Sequence, residues 1–147
     1  MTVRALCLSQ DDLGELTRAL AAAALPVGDL QEPCRTFFRL DDEGGPIGYG
    51  GWEGRGADRL LRSLVVSPSR RGQGLGRSGL ATIERMARQA GAARLHLLTT
   101  TAADFFRSAG YQDADRGDAP PSIRASREFS SLCPASASYM IKDLASA

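Results

Sequence analysis

The residues best suited to chemistry form one glycine-rich, basic run that follows an apolar segment. It comprises Leu64, Val65, Val66, Arg70, Arg71, Gly72, Gly74, Gly76 and Arg77. The apolar residues indicate the end of a β-strand, and a helical pattern follows the glycines. Such a turn exposes backbone N–H groups, the positive end of the helix dipole favours an anion, and the arginines add charge-assisted hydrogen bonds. The run therefore predicts a phosphate site, with a ligand-free turn and a solvated basic rim as the alternative.

Two other phosphate-binding motifs fit this run poorly. The residues from Gly74 to Gly79 match the letters G-x-G-x-x-G of dinucleotide-binding folds. That motif, however, begins directly after its strand and needs an acid at the end of the next strand. Here Ser67–Gln73 intervenes, and the next predicted strand ends in Thr99-Thr100-Thr101. A P-loop is excluded because no glycine precedes a Lys-Ser or Lys-Thr pair.

The same run resembles the signature of a known family. Arg71-Gly72-Gln73-Gly74-Leu75-Gly76 is similar to the Q/R-x-x-G-x-G/A motif of GNAT acyltransferases. The segments Leu64–Pro68, Ala93–Thr99 and Phe105–Tyr111 resemble the strand before that motif, the family's fifth strand and its F-x-x-x-G-F/Y segment. The resemblance extends from about Val3 to Leu144. It implies an α/β GNAT fold with a mixed, mostly antiparallel sheet of six to seven strands and about four flanking helices.

The resemblance also implies acetyl-CoA as the cofactor. Its pyrophosphate is expected on the backbone amides of Arg71 to Arg77, and its pantetheine arm along Leu64 to Val66, where the fourth and fifth strands splay apart. The implied cofactor-binding residues are Leu64, Val65, Val66, Arg71, Gly72, Gln73, Gly74, Leu75, Gly76, Arg77 and Phe106. Because the cofactor supplies an activated acyl group, the resemblance implies no metal.

A narrower resemblance points to the GNAT subgroup associated with arsenic-resistance operons. It rests on Leu98-Thr99-Thr100-Thr101, on Ala119–Arg124 and on the segment from Glu128 to Pro134. It implies acetyl transfer, in a ternary complex, to the amine of a small acidic substrate, either an amino acid or an amino-acid-like arsenical or phosphinate. The alternative from another class is a CoA-binding sensor or interaction module without catalysis.

The groups that would transfer protons depart from the family pattern. Phe106 stands where many members have a tyrosine acid, which leaves Tyr111 as a candidate acid against the alternative of aromatic packing. Arg62 stands near the place of the usual strand glutamate. A cation cannot accept a proton, so we hypothesise that Arg62 anchors an anionic substrate, with pairing to a neighbouring acid as the alternative. Glu53 and His96 are the base candidates, although a lone histidine among leucines is commonly structural.

A long segment between the last two predicted strands, Arg116 to Pro134, is the expected substrate lid. The candidate substrate-contacting residues of this lid are Arg124, Glu128, Ser130 and Ser131. Thr100, at the end of the fifth strand, is a further candidate. Cys133 is a candidate arsenic ligand or acyl-accepting nucleophile, with a buried apolar role as the alternative.

The elements that position these residues follow from the pattern of apolar residues and turns. We expect an opening strand from Val3 to Leu8, a helix from Gln10 to Ala24 stopped by Pro26, and a hairpin. Its strands are Arg35–Leu40 and Ile47–Trp52. A strand Leu60–Val66 and a long helix ending at Gly91, with a Glu84–Arg88 pair, are expected next. A strand Arg94–Thr100 and a helix opened by a Thr101–Asp104 capping box follow. The last expected elements are a strand Tyr111–Ala114, a short helix Ser122–Phe129 and a strand Ala137–Leu144.

Composition bounds the class of protein. The chain has 147 residues, 43% of them hydrophobic, which predicts one soluble globular domain. The family resemblance implies that this is a single GNAT domain over residues 1–147. Eighteen basic and 17 acidic residues give a net charge of +1, which offers no electrostatic basis for binding nucleic acid or a membrane. The three widely spaced cysteines and single histidine favour neither a disulfide framework nor a zinc site. Without targeting signals we expect a cytoplasmic protein, and the family resemblance favours a homodimer.

Overall fold

The chain folds around a seven-stranded mixed sheet. The computed structural model describes residues 2–25, 27–126, 129 and 136–144. The strands are β1 Arg4–Cys7, β2 Arg35–Asp42, β3 Gly45–Glu53, β4 Asp58–Val66, β5 Arg94–Thr99, β6 Gln112–Asp113 and β7 Ser138–Asp143. Their order is β1-β2-β3-β4-β5-β7-β6, and every neighbouring pair is antiparallel except β4–β5. The expected mixed, mostly antiparallel sheet is confirmed.

Helices cover both faces of this sheet. They are α1 Leu13–Ala22, α2 Leu75–Gln89, α3 Ala103–Ser108 and α4 Pro121–Arg124. Successive side chains of a strand point to opposite faces. In β2, Phe37 packs with the apolar side of α1, whereas Phe38 belongs to the core under α2 and α3. Likewise Leu60 of β4 packs beside α4, and Leu61 packs on the α2 side. α1 and α4 therefore share one face, and α2 and α3 share the other.

The long helix α2 follows from its apolar spacing. Leu75, Gly79, Ile83 and Ala87 recur every four residues and are buried against the sheet. Ala90, three residues after Ala87, follows the end of the helix at Gln89 and is exposed. Gly91, with φ +109°, stops the helix as predicted.

Several local predictions are wrong for identifiable reasons. Residues Gln10–Asp12 form a 3₁₀ turn before α1, in which the Asp12 carboxylate accepts from the Ser9 hydroxyl and amide. Glu84 does not pair with Arg88; it accepts from Lys142 and Tyr111, which approach from other elements.

The start of α3 and the length of α4 also differ from expectation. The Thr101–Asp104 capping box is replaced by the Thr99 hydroxyl, which accepts from the Ala102 amide. Of the helix expected over Ser122–Phe129, the described residues form one turn, Pro121–Arg124, and residues 127 and 128 lie outside the described part of the chain. The cap of α3 thus comes from Thr99 at the end of β5, three residues before Ala102.

Two irregularities in β4 shape the centre of the sheet. β4 and β5 pair only through Asp58–Leu60 and Arg94–His96, although both strands continue well beyond those residues. The predicted splaying of the fourth and fifth strands is thus confirmed. In addition, the β3–β4 register skips so that Gly50 opposes both Ser63 and Leu64, which is a β-bulge. No helix in the described part of the chain is long and apolar enough to cross a membrane.

Candidate active site

A cavity of about 740 Å³ opens where β4 and β5 diverge. Its walls come from the end of α1, from β4, from β5 and its following loop, and from the first turns of α2 and α3. The lining residues are Ala23, Ala24, Leu25, Leu61, Arg62, Ser63, Leu64, Val65, Val66, Arg71, Gly76, Leu97, Leu98, Thr99, Thr100, Thr101, Ala102, Phe105 and Phe106. The hydrogen-bonded pairing of β4 with β5 ends at Leu60. The backbone edge of β4 beyond Leu60 therefore faces this cavity and not β5.

The glycine-rich turn forms a cradle of free amides at one end of the cavity. Gly72 and Gly74 have φ of +79° and +74°, and a Cβ at either position would meet no heavy atom within 4 Å. Gly74 is the residue before α2, so the first amides of a 15-residue helix point out of its end. Within the described residues, none of the six backbone amides from Gly72 to Arg77 donates a hydrogen bond to the chain. Such a concave set of donors suits a phosphate or pyrophosphate.

The three arginines around the cradle have different partners. Arg70 holds the turn against the sheet. Its Nη2 lies 2.6 Å from the buried carboxylate of Asp42, and its Nη1 donates to backbone carbonyls of β3. Arg71 is exposed, lines the cavity and donates through Nε to the Val66 carbonyl, which leaves its terminal nitrogens at the mouth. Arg77 donates to the Ser108 carbonyl. Of the three, Arg71 is best placed to meet an anion in the cavity.

Two phenylalanines of α3 form a wall beside the cradle. Phe106 was expected in the cofactor site and lines the cavity, while Phe105 beside it was missed. A Cβ at Gly76 would rest 3.5 Å from Val66 and 3.6 Å from Phe105, which are ordinary contact distances, so α2 packs beside both residues here without requiring a glycine. Since β5 ends at Thr99, Thr100 follows it at the rim of the cavity. The signal that could have identified Phe105 is its adjacency to Phe106 on a short helix after the fifth strand.

The bulge in β4 brings strained backbone to the middle of the cavity wall. Ser63 is buried and has φ +62°, a left-handed conformation that side-chain-bearing residues rarely adopt. Ser63 and Leu64 both oppose Gly50, and β5 offers them no partner. Backbone groups at this point are therefore available to the cavity. Residues held in such conformations concentrate at functional sites.

The predicted substrate anchor, Arg62, is instead the centre of a buried ion cluster. Its side chain is fully buried, and it donates to Asp29 through both Nη atoms, at 2.5 and 2.7 Å, and to Glu53 at 3.1 Å. Arg35 donates to the same Asp29 carboxylate. Burial raises the pKa of Asp29, but the hydrogen bonds from Arg62 and Arg35 outweigh it and lower that pKa to about 2. The alternative of acid pairing fits Arg62 better than a free anion anchor.

The base candidates are engaged elsewhere. Glu53 is buried and contacts Arg62 and, at 3.4 Å, Arg35, so each of its carboxylate oxygens lies beside a guanidinium group. His96 is 1% exposed, with Nε2 2.8 Å from Asp58 and Nδ1 2.7 Å from the Tyr139 hydroxyl. Neither side chain lines the cavity. These placements argue against proton transfer by Glu53 or His96, because their polar atoms already have buried partners.

Tyr111 is likewise placed in the core and away from the cavity. It is 2% exposed, packs edge-on against Phe106, and its hydroxyl donates to Glu84 of α2. Burial, followed by the nearby Glu84 charge, raises the pKa of Tyr111 well above its usual value. Its packing role, the alternative considered for it, is the one that this geometry favours.

The described cavity wall contains no carboxylate, imidazole or phenol. Its residues with polar side chains are Ser63, Arg71, the threonines from Thr99 to Thr101, and Arg62, whose side chain is itself fully buried in the ion cluster. Arg124 is exposed on α4 and does not line the wall. Glu128, Ser130, Ser131 and Cys133, expected on the lid, lie outside the described residues. In the described part of the chain, no cluster of three His, Cys, Asp or Glu side chains could hold a metal ion.

Comparison with known proteins agrees with this geometry. The model of the acetyltransferase (GNAT) domain matches residues 33–113, which is more than half of the chain. That range contains β2 to β6, the bulge, the cradle and both phenylalanines. No curated protein sequence is significantly similar to this chain.

Solved structures share the fold at low sequence identity. The chain is similar to N-acetylglutamate synthase from Neisseria gonorrhoeae complexed with coenzyme A and N-acetyl-glutamate, at a TM-score of 0.75 and 22% identity, over 98% of this chain and 35% of that one. It thus spans about a third of that enzyme. A GNAT-family acetyltransferase from Staphylococcus aureus aligns at a TM-score of 0.76 and 13% identity, over 97% and 99% of the two chains.

A third solved structure is similar over nearly the whole chain. The ribosomal-protein-S18-alanine N-acetyltransferase of Escherichia coli aligns at a TM-score of 0.71 and 18% identity, over 97% of this chain and 94% of its own. The matched family model, the splayed strands and the amide cradle lead to one conclusion: this chain belongs to the GNAT acetyltransferase family.

Proposed function

We propose that this protein transfers the acetyl group of acetyl-CoA to the amine of a small, amino-acid-like substrate. Acetyl-CoA is the cofactor that its family uses. The single observation that carries the proposal is the wedge between β4 and β5 with six free amides at its end. This wedge provides a channel for an extended, partly apolar molecule that terminates in a diphosphate.

The residues present fit the pyrophosphate and the pantetheine arm of that cofactor. The amides from Gly72 to Arg77 would hold the pyrophosphate, and the Arg71 guanidinium would add a charged contact. The unpaired edge of Leu64 to Val66 would hydrogen-bond the pantetheine amides as a further strand would. Phe105 and Phe106 would cover the arm's apolar side and exclude water.

The protein's chemical contribution is mainly positioning and electrostatics. The cofactor, when bound, supplies an activated thioester whose acyl group an amine can accept. The bulge at Ser63–Leu64 would present backbone amides where negative charge develops on the carbonyl oxygen, and such donors contribute strongly to acyl transfer. Since the described wall offers no proton acceptor, the amine's proton would pass to water or to a group beyond that wall, and the departing CoA thiolate would take a proton from water.

The acceptor side of the cavity favours a small amine. Ala23, Ala24 and Leu25 line it from the segment just after α1, and Leu98 and Thr100 line it from β5 and the following loop. An amino-acid-like acceptor is supported by the similar enzyme that was solved with N-acetyl-glutamate. Amino-bearing arsenicals and phosphinates belong to the same chemical class, and the resemblance to the arsenic-resistance subgroup supports testing them. Arg62 is not the anchor for the acid group in this proposal, because its guanidinium is buried against Asp29 and Glu53.

A CoA-binding module without catalysis is the second candidate. The observation that favours it is the cavity wall without a carboxylate, imidazole or phenol among its described residues. The two candidates differ in one property, which is the release of free CoA.

The test is free-CoA release from acetyl-CoA with a panel of amino acids, polyamines, amino-phosphinates and amino-bearing arsenicals, with calorimetric acetyl-CoA binding measured in parallel. Turnover with one amine supports the enzyme and names its acceptor class. Binding without turnover on any amine favours the module. Absence of binding would refute the proposal, since both candidates need the cradle.

A further inference from the structure

The buried ion cluster contacts the side chain of Ser63, the residue with strained backbone in the cavity wall. The Arg62 Nε lies 3.3 Å from the hydroxyl oxygen of Ser63, the residue at φ +62°. The other end of the same guanidinium is held by the Asp29 carboxylate through two short hydrogen bonds and by Glu53 through a third. Arg62 thus links a left-handed residue of the bulge to fixed charges on two other segments.

The link is rigid because both ends are buried. The side chains of Arg62 and Asp29 have no exposed surface, and the Arg62 guanidinium also lies over the Phe37 ring, 5.7 Å from its centre. A planar guanidinium bound in two-point fashion has one orientation relative to its carboxylate. Its Nε, and the Ser63 hydroxyl that accepts from it, are therefore fixed relative to the sheet.

We propose that Arg62 is a positioning residue that holds the Ser63–Leu64 bulge in the conformation needed for acetyl transfer. This inference rests on the proposed function, since it names how the chain shapes the amides of the same site. Without the Arg62 contact, Ser63 relaxes towards negative φ, and the backbone of Ser63 and Leu64 turns away from the cavity. Arg62 then affects the rate of acetyl transfer within the complex of enzyme, acetyl-CoA and amine. Other groups bind the acceptor amine.

A glycine at position 63 separates this role from substrate binding. Glycine adopts φ near +62° without strain, so it keeps the bulge without help from the Arg62 contact. We expect Arg62→Lys to lower kcat about tenfold, as misplaced donors do, with the KM of the amine changed less than about threefold. The double variant Arg62→Lys with Ser63→Gly should recover the kcat of Ser63→Gly alone.

Arg35→Lys is the matched control. Arg35 bonds to Asp29 and contacts Glu53 in the same cluster, but among the described residues it has no hydrogen bond to β4. Arg35→Lys should lower thermal stability as Arg62→Lys does and leave kcat within about threefold of the parent. Equal kcat losses for the two lysine variants would overturn the inference. So would a failure of glycine to restore kcat, or a rise in KM confined to acidic amines, which would make Arg62 a substrate anchor.

A second readout keeps the inference testable without turnover. The backbone amide resonances of Ser63 to Val66 should shift in Arg62→Lys and remain in place in Arg35→Lys. Unmoved resonances in Arg62→Lys would refute the positioning role. Absence of CoA release by the parent protein would count against the proposed enzyme alone, because the amide resonances report the bulge directly.

Discussion

The cradle makes different demands on two glycines that lie two residues apart, and Gly74→Ala and Gly76→Ala form a matched pair. Gly74 has φ +74°, so alanine there costs about 1–2 kcal/mol of backbone strain although the space around it is open. Gly76 is inside α2 with ordinary φ, and its Cβ would make normal contacts at 3.5 and 3.6 Å. Alanine at Gly76 should therefore be neutral or stabilising, by up to about 1 kcal/mol, through helix propensity.

The strain at Gly74 should appear in two measurements. In a chain of this size, 1–2 kcal/mol corresponds to a fall in Tm of roughly 2–8 °C. If the strained residue relaxes and removes one amide from the phosphate, the loss of about 1.5–3 kcal/mol weakens acetyl-CoA binding roughly ten- to a hundredfold. Thermal unfolding and titration calorimetry on both variants supply the comparison.

Three outcomes with these two variants would contradict the expected roles of Gly74 and Gly76. Equal effects of the two alanines on acetyl-CoA affinity would show that the left-handed turn at Gly74 does not set the cradle. A Gly74→Ala variant that binds normally would remove the amides before α2 from the cofactor site. A strongly destabilised Gly76→Ala variant would contradict the packing of Gly76 against Val66 and Phe105.

Three further predictions concern side chains that do not line the cavity. Asp29 has its pKa lowered to about 2, so its contribution to stability is present above about pH 4 and is lost as pH falls towards 2; Asp29→Asn should flatten that part of a Tm-against-pH curve. Tyr111→Phe should keep kcat within about twofold and lower the free energy of unfolding by about 0.5–1.5 kcal/mol, measured by denaturant titration, since only the hydrogen bond to Glu84 is lost; a tenfold fall in kcat would return Tyr111 to the catalytic candidates. His96→Gln should destabilise the fold by about 1–3 kcal/mol while the pH profile of kcat stays unchanged, because His96 is bonded away from the cavity; a lost ionisation in that profile would contradict its structural role.

Much of the fold was predictable because its signals are local. The hairpin that becomes β2 and β3 is predicted by two short apolar runs, Arg35–Leu40 and Ile47–Trp52, on either side of an Asp- and Gly-rich turn. The four-residue spacing from Leu75 to Ala87 predicts α2. Predictions of a specific pair of side chains were less successful. Glu84 lies one helical turn from Arg88, but its carboxylate accepts hydrogen bonds from Lys142 and Tyr111.

The sequence by itself determined the strand, glycine turn and helix of the cradle, because φ preferences and free helix amides are properties of a few consecutive residues. Only the tertiary structure decided the partners of the charged candidates. Arg62 meets Asp29 across 33 positions, and His96 meets Tyr139 across 43. Such pairings depend on sheet register and on how loops return to it. A residue's type therefore indicated what chemistry it could do, and the packing of distant segments decided whether its polar atoms were free to do it.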